Sequence, residues 1–287
     1  MDNTNLVYEK EELYYYTSLS TLQTILQKKT ARLTDYRFLN DRQEVVFAMQ
    51  QLKNCLLKNN TNEKTLEILN AVQNMENGRA QNLVFRNLDE ENPIIDPIMC
   101  DVIYYVMSLS HSRDDLMMWR MYAQEGCCLK FNSQKLFEYF DSFRDNNISK
   151  GLLNIIRGNV SYGEDPNINF QVSLLSNPYF ELMIYYHIMH YCLLRKNQTF
   201  SSEHEYRIAI PFTDSYLDKS CSREDIIQGT MIKPQIELKN FPIEDIIEEV
   251  IISPFIKTDT THLGIQEMLK AHNISPDIVK KSDISIR

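Results

Sequence analysis

Glycine is scarce in this chain, with 7 among 287 residues. The sequence contains neither a GxGxxG pattern nor a GxxxxGK[ST] pattern, which are the glycine-rich loops that hold phosphates in Rossmann and P-loop proteins. A dinucleotide, if one binds, is therefore not held by either of these two loops.

The chain also lacks paired cysteines, an apolar leader and long apolar runs. Its six cysteines form no CxxC pair, and Cys127 and Cys128 are adjacent, which is poor geometry for a mutual disulfide. The N-terminal MDNTNLVYEKEE has no basic and apolar leader, and no run approaches the roughly 18 apolar residues of a membrane span. We expect reduced thiols, a cytoplasmic location and no membrane partner.

Positive charge is in deficit, since the formal net charge is -9 and the pI is near 5.2. This balance argues against charge-driven adhesion to nucleic acid or anionic lipid. A nucleic-acid substrate would need a local basic surface, and these arginines are closest in sequence to the polar motifs described next: Arg32, Arg37, Arg42, Arg113 and Arg120.

The segment from Leu13 to Asp41 is the richest in signals, because it predicts a strand, a capped helix and a second strand. Tyr14 to Thr17 has the aromatic and β-branched content of a strand, and Ser18 or Ser20 can cap a helix. A strand that ends at a helix N-terminus is a natural anion site, with phosphate as the obvious candidate. The alternative is that the tyrosines simply straddle a half-buried strand.

Further polar groups follow other predicted elements. Arg37, Asn40, Asp41 and, a turn later, Glu44 follow the second strand. Ser108 and Ser110 end a buried strand. In a separate short helix, Trp119 and Arg120 combine a stacking surface with a cation suited to phosphate or carboxylate, although a lone tryptophan on such a helix is more often core.

Two carboxylates two residues apart open the late strand EHEYRIAI. Strand alternation predicts that Glu203 and Glu205 project from one face, where they repel unless one is protonated or a cation intervenes. The alternative is an exposed strand edge with pairing to Arg207 or Lys196. No metal site is expected, because His187 and His190 have no third ligand at a recognisable spacing.

Strands and helices mix along the chain without regular βα alternation, which indicates an α+β fold. We expect a single domain over residues 1–287 with a helical insertion at about 43–100.

The motifs LYYYTSLSTLQTIL, TARLTDYRFLND, MSLSHSRDDLMMWRMYA, EHEYRI and EVIISP resemble an uncharacterised bacterial family, in the same order and over nearly the whole chain. Members of that family read Tyr-His-Tyr-Thr-Ser, Phe-(Leu/Asn)-Asp, Met-Trp-Arg-x-Tyr-Ala and Glu-x-Glu-Trp-Arg. More remotely, the motif order is similar to that of ADP-ribosyltransferases, including those that modify DNA or RNA. This resemblance implies a split mixed β core decorated with helices, with NAD in the cleft as co-substrate.

The resemblance also implies roles for individual residues. Tyr15 stands where the relatives carry a histidine, Thr17 follows it, Glu205 takes the catalytic place, and Glu203 completes a Glu-x-Glu pattern. Catalysis is thereby assigned to Glu205, Glu203 and Tyr15. Cofactor binding is assigned to Tyr15, Thr17, Arg37, Asn40, Asp41, Ser110, Trp119 and Arg120.

Two functions from different classes follow. The first is an NAD-dependent ADP-ribosyltransferase, a toxin or phage-defence effector that modifies an intracellular nucleic acid or protein and has an antitoxin or chaperone as partner. The second is a ligand-binding or regulatory module that kept the fold and lost turnover, which the tyrosine at position 15 favours.

Overall fold

The computed structural model describes residues 9–39, 44–58, 66, 68–72, 82–87, 95–100, 102–146, 155–164, 180–213, 221–228 and 231–286. Asn40 and Asp41, two of the predicted cofactor-binding residues, lie outside this set.

Helices and strands both contribute to the described chain. The helices are α1 Leu19–Lys28, α2 Glu44–Lys58, α3 Leu116–Tyr122, α4 Ser133–Asp145, α5 Phe180–Leu193, α6 Ile243–Ile246 and α7 Asp259–Ala271, with 3-10 turns at Tyr36–Phe38, Gln198–Glu203 and Pro276–Ile278. The strands are β1 Glu12–Ser18, β2 Ala31–Asp35, β3 Asn82–Asn87, β4 Ile95–Cys100, β5 Val102–Ser110, β6 Gly126–Asn132, β7 Ile156–Asn159, β8 Ser161–Tyr162, β9 Arg195–Lys196, β10 Glu205–Thr213, β11 Cys221–Gln228, β12 Met231–Leu238, β13 Ile247–Ile252 and β14 Val279–Lys281.

One mixed sheet of 10 strands dominates the fold, in the order β11-β12-β2-β5-β1-β6-β13-β14, with β10 also paired to β5 and β7 paired to β10. Its pairs are antiparallel except for the parallel pair of β13 and β14. The prediction of mixed helices and strands without βα alternation is confirmed. The predicted insertion at 43–100 contains α2 and also the antiparallel pair of β3 and β4.

The sheet is split along one edge of β5. Strand β10 occupies the other edge of β5 over its whole length, so β1 and β2 share the remaining edge. Strand β2 pairs there through Thr34 with Val106 and Asp35 with Tyr105, and β1 pairs through Tyr14 with Ser110. Between these contacts, no described ladder pair joins Met107–Leu109 of β5 to β1 or β2. A wedge therefore opens between β1 and β2.

Helix α1 holds the two walls of this wedge together, because it connects the end of β1 to the start of β2. The Ser18 hydroxyl accepts a hydrogen bond from the Thr21 amide at 3.1 Å and is therefore the helix cap. The buried side chains Leu22, Ile25 and Leu26 lie on one face and pack into the main core, as the spacing predicts.

Hydrophobic clusters cover both faces of the sheet. Side chains alternate along β1, so Leu13 and Tyr15 join the main core while Tyr14 and Tyr16 pack with Trp119 on the opposite face. None of the described helices has the length and apolar character needed to cross a bilayer.

Candidate functional site

A cleft of about 620 Å³ occupies the split between β1 and β2. Its walls come from β1, the first turn of α1, α3, β2, and the paired strands β11 and β12, while β5 and β10 form its floor. Cofactor and small-molecule pockets commonly measure roughly 300–1,000 Å³, so the cleft has the size of a ligand site.

An ion cluster lies at the floor of this cleft, centred on the ammonium group of Lys196. The lysine Nζ donates to Glu203 Oε2 at 2.6 Å and to Glu205 Oε2 at 3.0 Å. All three residues are buried and line the cleft. The two carboxylates thus share one cation, which relieves the repulsion that the sequence indicates.

A second cation, Arg207, completes the cluster. It lies two residues after Glu205 in β10, so both side chains project from the same face of the strand. Its Nε and Nη2 donate to the two carboxylate oxygens of Glu205 at 2.7 and 2.9 Å, a bidentate arrangement. Its Nη1 donates to Glu44 of α2 and, at 2.8 Å, to the Leu193 carbonyl oxygen. The alternative considered from sequence, pairing of the carboxylates with Arg207 and Lys196, is therefore what the structure shows, but the pairs are buried and not at an exposed edge.

The electrostatics of the cluster favour an ionised Glu205. Burial opposes ionisation, yet the charges of Arg207 and Lys196 outweigh it and lower the pKa of Glu205 to about 2. Glu44 differs, because burial raises its pKa above the usual value despite the contact with Arg207. Its Oε2 atom lies 3.8 Å from Lys196 Nζ and has no hydrogen-bond partner among the described residues.

The two glutamates converge by a route that strand alternation did not predict. The strand begins at Glu205, whereas Glu203 ends a 3-10 turn, and the expectation that both lie in one strand is wrong. His204 between them has φ 42° and ψ 51°, the left-handed conformation. This reversal of the chain turns Glu203 toward Lys196.

Neighbouring hydroxyl groups fix Glu203 further. Tyr122 of α3 donates its hydroxyl to Glu203 Oε1 at 2.6 Å, and the Ser110 hydroxyl donates to the Glu203 carbonyl oxygen at 2.6 Å. Both Glu203 carboxylate oxygens are thus engaged, and the residue is held from the end of β5 as well as from α3.

Five of the sequence-predicted site residues line the cleft: Tyr15, Thr17, Ser110, Glu203 and Glu205. The Tyr15 ring, however, stacks on Phe131 with centroids 6.0 Å apart, which directs it to the core face of the sheet. Tyr14 and Tyr16 lie on the opposite face.

Three predicted residues are not among the lining residues of the cleft. Trp119 is fully buried in the core and donates its indole N–H to Asp114 at 2.6 Å. Arg37 is half-exposed and pairs with Asp35 at 2.6 Å, while Arg120 is exposed on α3.

Sequence reasoning did not assign a site role to Lys196, Arg207 or Glu44. Lys196 and Arg207 carried a usable signal, since they are the cations nearest in sequence to the two glutamates. Glu44 follows Asp41 among the polar groups after the second strand, but only the tertiary packing of α2 brings it to Arg207. Among the described residues, no group of three or more His, Cys, Asp or Glu side chains is placed to hold a metal ion.

The fold and site define a mixed α/β protein with a split-sheet cleft and a buried ion cluster. A family model described as a protein of unknown function, DUF2971, matches residues 118–208. The matched stretch contains Tyr122, Lys196, Glu203, Glu205 and Arg207, so most of the cluster lies within it, and Glu44 lies outside. Curated proteins and solved structures give no match.

Proposed function

We propose that the protein is an NAD-dependent ADP-ribosyltransferase that acts in the cytoplasm as a toxin or phage-defence effector on an intracellular macromolecule. The observation that carries the proposal is the ionised carboxylate of Glu205 at the floor of a cleft in a split sheet. That arrangement is the one which the motif resemblance to ADP-ribosyltransferases implies. An antitoxin or chaperone partner belongs to the same proposal.

The chemistry suits a fixed carboxylate. Cleavage of the bond between nicotinamide and ribose builds positive charge on the sugar, and a preorganised anion stabilises that charge without reorganising during the reaction. Arg207 and Lys196 fix the Glu205 side chain and keep it ionised. The Ser108 hydroxyl, which also lines the cleft, is a further hydrogen-bond donor to Glu205.

A second candidate is a ligand-binding or regulatory module without turnover. The specific observation in its favour is that Glu205 is only 5 % exposed and both of its oxygens already accept hydrogen bonds from cations. Such a cluster also serves as a purely structural element of a binding cleft.

Nicotinamide release and NAD binding by the purified protein separate these functions. For the transferase, Glu205→Gln should lower turnover by about 100-fold or more, because it removes the charge and keeps the shape. Glu237→Gln is the matched control, since Glu237 is a buried, ion-paired glutamate that is not among the cleft-lining residues.

The control variant should retain wild-type turnover. NAD binding without nicotinamide release in the wild-type protein would favour the binding module. Absence of both binding and release would refute the transferase and an NAD-binding module together.

A further inference from the structure

A second, smaller cavity of about 280 Å³ adjoins the cleft at Glu205, which lines both. Its other walls include His111, Ser112, Tyr162 and His204. The cavity therefore presents imidazole and hydroxyl groups next to Glu205, whose backbone amide donates to the Tyr162 hydroxyl at 2.7 Å.

His204 is held in a strained backbone conformation at this point. A left-handed residue other than glycine is sterically disfavoured and persists only where the surroundings enforce it. Here the His204 carbonyl oxygen accepts from the His111 amide at 2.9 Å, and the His204 amide donates to the Ser201 carbonyl oxygen at 3.3 Å. The strain turns the imidazole to the cavity while the flanking glutamates face Lys196.

The His204 ring is also oriented. Its Nδ1 lies 3.0 Å from the Ser112 hydroxyl oxygen. Its Nε2 has no hydrogen-bond partner among the described residues. With the proton on Nδ1, donated to Ser112, the lone pair on Nε2 is available to an incoming group.

Glu203 is poorly placed to take a proton from a substrate. Tyr122 and Lys196 each donate to one of its carboxylate oxygens at 2.6 Å, and the residue is 7 % exposed. Its role in the cluster is to hold the lysine that in turn holds Glu205.

We propose that the smaller cavity receives the acceptor and that His204 Nε2 is the base that activates an acceptor hydroxyl. This inference rests on the proposed transferase function. The acceptor oxygen forms a bond to C1′ of the ribose as the bond from C1′ to the nicotinamide nitrogen breaks. Nicotinamide leaves with the electron pair as a neutral molecule, and the hydroxyl proton passes to His204 Nε2 and then to water.

The acceptor is a hydroxyl-bearing protein side chain. A neutral imidazole base suits a neutral hydroxyl, and Tyr162, whose pKa burial raises to about 12, stays protonated and can donate a hydrogen bond to the acceptor oxygen. No lysine or arginine is among the lining residues of the cavity, and the Glu11 carboxylate lies 3.9 Å from His111 Nδ1. A phosphate backbone would therefore meet little positive charge here.

Two of the arginines named from the sequence as a basic surface are already paired within the protein. Arg32 pairs with Glu237 at 2.9 Å, and Arg37 pairs with Asp35. Each guanidinium is thus already neutralised within the protein.

The test uses the full chain, labelled NAD, and a bacterial extract divided into protein and nucleic-acid fractions. His204→Asn tolerates the left-handed conformation but cannot act as a base, and His204→Gly suits that conformation and leaves space for free imidazole. Transfer to protein should fall about 100-fold in both variants, and added imidazole should restore at least about tenfold in His204→Gly alone. His272→Asn, at the end of α7, is the control and should transfer like the wild type.

Mass spectrometry of the labelled protein should place ADP-ribose on serine, threonine or tyrosine oxygens. The inference would be overturned by undiminished transfer by His204→Asn, by label on nitrogen atoms, or by label confined to the nucleic-acid fraction. In each of these cases, nicotinamide release by the wild type would still support the transferase function. Absence of nicotinamide release by the wild type would overturn both.

Discussion

Replacement of Lys196 by methionine removes the central cation of the ion cluster at nearly constant side-chain length. The Lys196 ammonium lies 2.6 Å from the Glu203 carboxylate and 3.0 Å from the Glu205 carboxylate. Lys196 as a whole is only 4 % exposed. Loss of one partner from a buried ion pair costs about 3–5 kcal/mol, because the remaining charge is left unpaired. We expect Lys196→Met to lower the free energy of unfolding at neutral pH by that amount.

The pKa of Glu205 reflects the joint effect of Arg207 and Lys196 on this carboxylate. It falls from 4.5 to about 2 in the folded protein. A shift of that size contributes about 3 kcal/mol, since one pKa unit corresponds to about 1.4 kcal/mol. Because the folded pKa is the lower one, this contribution is complete above about pH 4.5 and is lost as the pH falls to about 2.

The stability of the Lys196→Met variant should change with pH in the opposite sense to that of the wild type. With Lys196 gone, Glu203 and Glu205 face each other with Arg207 as the nearest cation, so the folded protein takes up a proton more readily than the unfolded chain does. The stability gap between variant and wild type should therefore be larger at pH 7.5 than at about pH 5.

Urea unfolding followed by fluorescence measures both effects, because the single tryptophan, Trp119, is fully buried. Lys130→Met is the matched control: its ammonium pairs with Glu12 at 3.0 Å near the surface, and its loss should cost no more than about 1 kcal/mol. Equal costs for the two variants, or a stability gap independent of pH, would refute the account of the cluster.

Three further substitutions test the framework around the cleft. Ser18→Ala should destabilise the protein by about 1 kcal/mol in urea unfolding, through loss of the α1 cap, and Ser18→Thr should recover most of it. Gly126→Ala should be strongly destabilising or prevent folding in the same measurement, because a Cβ there would lie 2.0 Å from the Thr17 carbonyl oxygen. Trp119→Phe should lower stability by roughly 1–3 kcal/mol, since Asp114 loses its indole donor, and NAD binding measured by calorimetry should be unchanged if Trp119 is only a core residue.

Local signals were sufficient for the scaffold. Aromatic and β-branched content predicted the strand at Tyr14 to Thr17, and helical spacing with a serine cap predicted α1, both of which the structure confirms. The apolar run ending at Ser110 is β5, as expected. These elements are fixed by interactions between near neighbours in sequence, which is why the sequence alone predicts them.

The ion cluster depends on contacts that are distant in sequence. Glu44 meets Arg207 across 163 positions, and no periodicity records that packing. The left-handed conformation of His204 is equally hidden, because the sequence offers no glycine or asparagine there to predict it. Strand alternation correctly predicted that Glu203 and Glu205 lie close together. The geometric reason was wrong, because Glu203 belongs to a 3-10 turn and not to the strand.

The charges of the cleft also fix how a dinucleotide would lie in it. Glu205 stays ionised at the floor of the cleft, and its carboxylate attracts the cationic nicotinamide ring and repels a pyrophosphate. The opposite wall offers Ser20 and Thr21 at the positive end of α1, together with Lys233. NAD should therefore bind with its pyrophosphate toward α1 and its glycosidic bond over Glu205. In that orientation the scissile carbon would lie over Glu205, the residue that lines both the cleft and the smaller cavity beside His204.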